Sequence, residues 1–226
     1  RLCRTMSDVG GTEDGPALLL RLVRTCSHLA QQAGKVIRAV QLSREESGGD
    51  GSDAAALGAS LKDASDTRSY LTTADLRAQR VIFDGLRAEF PGLALVGEED
   101  EEGDGGAAAL ADPASWYPDA APVRADPDGA AFSAADLPAE YGHVTAEELV
   151  VFVDPVDGTR EFVEGRLGAV QTLIGVSWRG RAIAGVVGLP FHDGAVGRGT
   201  GAGRAPSRAA GFVLRGIVGA GLRGFP

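Results

Sequence analysis

Asp154 and Asp157 flank a Pro-Val pair in the stretch "VVFVDPVDGTREF", residues 150–162. The valines and phenylalanine ahead of them read as a buried strand, so a rigid segment delivers two carboxylates to one spot. A second acidic pair, Glu98 and Glu99, follows the apolar run "LALV" at 93–96, and Asp75 lies in the first turn of a third segment. Strand ends of one sheet share an edge, so acids from separate segments can meet there. Carboxylates sharing a pocket repel one another and need a cation or a proton between them. Oxygen ligands without cysteine or histidine suit a hard divalent ion such as Mg²⁺. Pro155 stiffens the link between the two aspartates and lets the Val156 carbonyl face the same ion. Gly158 and Thr159 then open a helix, whose N–H groups and dipole make a cradle for phosphate. A metal beside a phosphate cradle is the layout of metal-assisted phosphate hydrolysis.

Each motif also has a plainer reading. Thr72-Thr73-Ala74-Asp75 matches a capping box, so Asp75 taken alone is a helix cap rather than a reactive group. "GEED" alone is a solvated acidic turn, and "DPVDG" alone an ordinary one. Their coincidence at the ends of strands is what favours a site. His28, His143 and His192 have no partners at ligand spacing. No nucleophile-elbow motif supports a Ser-His-Asp hydrolase, and the Gly-rich tail lacks the lysine of a P-loop.

Two helices and several strands must position these acids. Apolar residues at three- and four-residue steps, from Leu19 through Cys26 and Ile37 to Val40, predict a helix over 16–40 with Pro16 in its first turn. A second helix is expected over 73–90, with Leu76, Phe83, Leu86 and Phe90 on its buried face and Pro91-Gly92 as its stop. Strands are expected at 93–96 and 148–153. The runs 170–177 and 182–189 read as a hairpin around Arg179-Gly180. Residues 41–70 read as a long connection, and 101–142 as an insertion with little structure. The domain reading is therefore a metal-binding unit over 1–191 and a poorly ordered Gly/Arg-rich tail over 192–226, which holds one apolar patch at 212–219.

The 226 residues carry 33 glycines and a net charge of −9. That charge argues against a general grip on nucleic acid, but not against a phosphorylated small molecule held through a cation. Two cysteines, Cys3 and Cys26, are too few for a disulfide scaffold, and no run approaches the roughly 18 apolar residues of a membrane span. A cytoplasmic protein that binds neither membrane nor nucleic acid is the expectation; oligomeric state is left open.

"LTTADLRAQRVIFDGLRAEFPGLALVGEED" and "VVFVDPVDGTREFVEG" together resemble the Mg²⁺-dependent, lithium-sensitive phosphatases of the inositol monophosphatase superfamily. "DGTREF" with "TLIGVSWRGRAIAGVVGLPF" is most similar to its 3'(2'),5'-bisphosphate nucleotidase branch; the inositol monophosphatases proper usually carry Asn where Glu161 stands. The resemblance implies a layered α/β sandwich, represented here by its N-terminal half with two helices on a largely antiparallel sheet. It implies Glu98, Asp154, Asp157 and the Val156 carbonyl as metal ligands, with Glu99 assisting, and Asp75 paired with Thr159 to activate a water. A flexible metal-binding loop would fall near Lys62, Asp63 and Asp66. The implied substrate is a nucleoside bisphosphate, or alternatively an inositol phosphate. The superfamily also has a second half with a further ligand in a Trp-Asp context. The only tryptophans here, Trp116 and Trp178, are not followed by Asp, so a fragment or truncated relative is expected, its activity in doubt.

Overall fold

The structure, a computed structural model, describes residues 14–46, 60–61, 70–99, 132–192 and 211–224. Two long helices, α1 (Pro16–Glu46) and α2 (Thr73–Glu89), pack against each other. Beneath them lies a six-stranded sheet in the order β3 (Ala94–Gly97), β4 (Leu149–Asp157), β5 (Gln171–Trp178), β6 (Arg181–Leu189), β7 (Phe212–Ile217) and β8 (Gly221–Arg223). The β3–β4 pair is parallel and the other pairs are antiparallel, so the expected α/β layering of helices on a largely antiparallel sheet is what forms. A small ribbon, β1 (Ser60–Leu61) with β2 (Tyr70–Leu71), stands apart from this sheet. Lys62, Asp63, Asp66 and Trp116 lie outside the described residues.

Alternation decides which face of the sheet is covered. Leu149, Val151 and Val153 of β4, Ile174 and Val176 of β5, Val186 of β6, and Val213 and Ile217 of β7 are buried. Between them they meet Leu19, Leu22, Cys26, Ile37, Ile82 and Leu86 of the helices in one continuous core. Among the described residues no element covers the opposite face: Phe152 is half exposed, and it belongs to a cross-strand row from Val96 through Gly175, Gly185 and Gly216 to exposed Leu222. The β5–β6 hairpin turns at Arg179 (φ 50) and Gly180 (φ 76), two left-handed residues in a row, as a two-residue primed turn requires. Among the described residues no helix is long and apolar enough to cross a membrane.

Several expected boundaries move. Helix α1 runs on to Glu46, so residues 41–46 are not part of a connection. Its buried stripe continues in polar residues, Gln41 and Arg44, which an apolar periodicity does not register. Strand β4 extends through Pro155 to Asp157, a bulge between Asp154 and Asp157 absorbing the missing ladder donor. The back of the 101–142 insertion is built into the core: Phe132 and Tyr141 are buried, and short 3₁₀ turns span Ala134–Asp136 and Ala139–His143. The 192–226 tail likewise is not structureless throughout. Its apolar patch supplies β7 and β8, which close the sheet beyond β6 with Val213 and Ile217 buried.

Candidate active site at the ends of β3 and β4

Because β3 and β4 run parallel, their C-terminal ends lie side by side. Gly97 is paired with Val153, and the Glu98 N–H donates to the Val153 carbonyl at 2.9 Å, which sets Glu98 beside Asp154. By alternation Asp154 shares the open face with Phe152. Past the bulge, the Thr172 hydroxyl donates to the Pro155 carbonyl at 2.9 Å and Asp157 pairs with Gln171, so β5 braces the whole "DPVD" segment.

Asp75 approaches from α2, and its capping reading holds. It is a cap: the Thr72 N–H and hydroxyl both donate to its Oδ2, the N–H at 2.8 Å, while the Ala74 N–H donates to the Thr72 hydroxyl. It also reaches a second candidate residue: the Thr159 hydroxyl oxygen lies 3.0 Å from Asp75 Oδ1 and 2.8 Å from the Val156 carbonyl. Thr159 has one proton for two acceptors, so with Asp75 ionised it cannot donate to both at once. A proton on Asp75 would close the chain, Asp75 donating to Thr159 and Thr159 to Val156. Burial is the main cause that pushes the Asp75 carboxyl up, to about 6; the bonds from Thr72 and Thr159 oppose it, and the nearby Glu99 charge adds to it.

Gln79, one turn after Asp75 on α2, grips the Glu99 backbone at both polar atoms. Its Nε2 donates to the Glu99 carbonyl at 2.6 Å, and its Oε1 accepts from the Glu99 N–H at 3.1 Å. Gly158 enters helix α3 (Thr159–Val163) with φ 85, and a Cβ there would stand 3.0 Å from the Ala169 carbonyl oxygen. The far end of α3 is held by Arg44, almost fully buried, which donates to the Val163 carbonyl at 3.1 Å and reaches the Phe162 carbonyl at 3.4 Å. On the solvent side Arg160 pairs with Glu164, and Arg166 bonds both Glu161 and Glu164.

The described residues thus bring Asp75, Thr159 and the Val156 carbonyl into direct contact, and set Glu98 next to Asp154 and Glu99 near Asp75. Among the described residues no three His, Cys, Asp or Glu side chains gather closely enough to hold a metal ion. Glu98 is exposed, and Asp154 and Asp157 are half buried. The donor types at these strand ends, carboxylates and a backbone carbonyl, are nonetheless those a hard divalent cation takes, and the repulsion Glu99 exerts on Asp75 is of the kind a cation relieves. Sequence reasoning missed Gln79, Arg44 and Thr172. All three are buried polar groups on otherwise apolar faces, which is the signal that could have found them.

Residues 21–207 match the Inositol monophosphatase family. The chain is 33% identical over 208 residues to 3'(2'),5'-bisphosphate nucleotidase 1 of Homo sapiens, covering 92% of this chain and 56% of that protein. The namesake from Dictyostelium discoideum is 33% identical over 175 residues, 77% of this chain and 48% of that one. Among solved structures, the extragenic suppressor protein suhB from Bartonella henselae aligns with 92% of this chain and 51% of its own, at 18% identity and a TM-score of 0.48. The chain spans about half the length of the curated relatives it matches. With a family match that runs from the second turn of α1 to beyond β6, and relatives a third identical over most of the sequence, the chain belongs to the inositol monophosphatase family.

Proposed function

We propose that this chain carries the site of a Mg²⁺-dependent phosphomonoester hydrolase. The observation that supports the reading best is the Asp75–Thr159–Val156 chain beside the acidic ends of β3 and β4. Glu98, Asp154, Asp157 and the Val156 carbonyl would hold the metal, with Glu99 assisting. Bound there, a divalent ion would neutralise charge on the phosphate and favour ionisation of water. The residues do the rest. Ionised Asp75 accepts from Thr159, which turns the hydroxyl's lone pairs outward to orient a water for in-line attack on phosphorus. The N–H groups of Gly158 and Thr159 face the phosphate oxygens; with only five residues in α3 the helix dipole adds little, so local N–H donation carries this contact. Gly158, in its left-handed conformation, lets the backbone come close to the ligand.

The substrate class follows the similarity to the nucleotidases: a nucleoside 3',5'-bisphosphate, giving the 5'-monophosphate and inorganic phosphate. Glu161, the residue by which the sequence resembles the nucleotidase branch, is held by Arg166 at 3.1 Å. The test is phosphate release from adenosine 3',5'-bisphosphate and from inositol 1-phosphate, with and without Mg²⁺ and lithium, in the wild-type chain and Asp154→Asn. Release from the bisphosphate that needs Mg²⁺, is slowed by lithium and falls at least a hundredfold in the variant is the expected result. Preference for the inositol phosphate would reassign the substrate. No release from either, with no Mg²⁺ binding by calorimetry, would sink the reading for this chain.

A further inference from the structure

We propose that Gln79 is a positioning residue that sets Glu98 and Glu99 against Asp75; the metal side of this inference rests on the functional reading above. Gln79 is nearly fully buried on α2, among Ala78, Ile82 and Phe83, where a polar side chain costs stability unless both its amide atoms are bonded. Both are, and to the same residue: the amide donates to the Glu99 carbonyl at 2.6 Å and accepts from the Glu99 N–H at 3.1 Å. It therefore acts as a one-residue strand, continuing the pairing of β3 after the ladder to β4 has ended at the Glu98–Val153 bond. The chain at 98–99 is thus fixed from two sides, by β4 and by α2.

The chemistry of the grip is specific to glutamine. Asparagine is one methylene shorter, glutamate at neutral pH has no donor for the carbonyl, and methionine of similar volume has neither partner. Space confirms the fit, since a Cβ at Gly97 would collide with Gln79 Oε1. A glycine at 97 therefore lets the helix amide lie flat on the strand end. Asp75 and Gln79 are one helical turn apart on one rigid element, so α2 itself fixes the separation between the carboxylate that faces Thr159 and the turn that carries Glu98.

Two variants test this from opposite sides. Gln79→Met removes the grip and keeps the volume; Gly97→Ala keeps Gln79 and pushes its amide away. Residue-resolved amide exchange reads the clamp directly, with Glu98 as internal reference because its N–H bonds to the Val153 carbonyl and not to Gln79. The Glu99 amide should exchange about tenfold faster in both variants, with Glu98 and the β4–β5 ladder unchanged. Calorimetric Mg²⁺ titration of the same proteins should show affinity reduced roughly 10- to 100-fold, the range for groups that orient metal ligands. Equal acceleration of Glu98 and Glu99, or an unchanged Glu99 rate, overturns the clamp. Mg²⁺ affinity within twofold of wild type, with Glu99 released, overturns the positioning role. A wild-type chain that binds no Mg²⁺ overturns both the metal role and the functional reading, while the exchange result still decides the clamp.

Discussion

At the residue scale Asp75 is the group on which stability and chemistry compete. Its carboxyl, ordinarily near 3.8, is raised to about 6 in the folded chain. Below the lower value both states are protonated and the group contributes no difference. As pH rises from there the unfolded chain loses its proton first, so folding stability falls until the folded carboxyl also ionises, and the full deficit is present above about 6. The deficit is of order 3 kcal/mol at neutral pH. Asp75→Asn, measured by urea unfolding without divalent cations, should therefore be more stable than wild type at about pH 7.5. Its advantage should shrink by ~1 kcal/mol at about pH 5. A difference independent of pH would mean that burial of this charge is not what raises it. In phosphate release the same variant should be inactive, since an amide cannot take the Thr159 proton.

At the element scale α1 and α3 form one device. Arg44 at the end of α1 caps α3 from behind, and Thr159 at the start of α3 meets Asp75 in front. Arg44→Met should destabilise by about 2–3 kcal/mol, because two helix-end carbonyls lose a charged donor in a buried place. Arg44→Lys should recover less than half of that, since an ammonium on this stem cannot present a planar fork. Equal unfolding midpoints for wild type and Arg44→Met would remove Arg44 from this role. The same residue explains why sequence reasoning stopped short. The helix at 16–40, the helix at 73–90 and the 170–189 hairpin were legible because apolar spacing marks them. The end of α1 was not, because its stripe continues in Gln41 and Arg44. Strands β7 and β8 were obscured by glycines and arginines around Val213 and Ile217. Of the candidate residues, the meeting of Glu98 with Asp154 was legible from their places at strand ends, whereas Gln79 and Thr172, which hold main-chain atoms, left no motif.

At the scale of the whole molecule the core offers its own reporter. Cys26 is fully buried where α1 meets the sheet, and burial pushes its thiol up to about 12, so neither access nor thiolate is present in the folded state at ordinary pH. In a Cys3→Ser background, labelling by a thiol reagent at about pH 8 should follow the global opening rate and accelerate with urea as the unfolding transition does. Fast labelling in buffer alone would show that α1 leaves the sheet without unfolding it. A last consequence comes from the direction of one strand pair. Since β3 and β4 run parallel, Glu98 and "DPVDGT" lie at the same side of the sheet whatever the number of residues joining them, and each doubling of a loop's length costs only about 0.6 kcal/mol. The back of the interval is not free, since Phe132 and Tyr141 are packed into the core. Changes of length ahead of Phe132 need not move a carboxylate, so a search pattern that fixes the distance between the two motifs would discard relatives that differ only there.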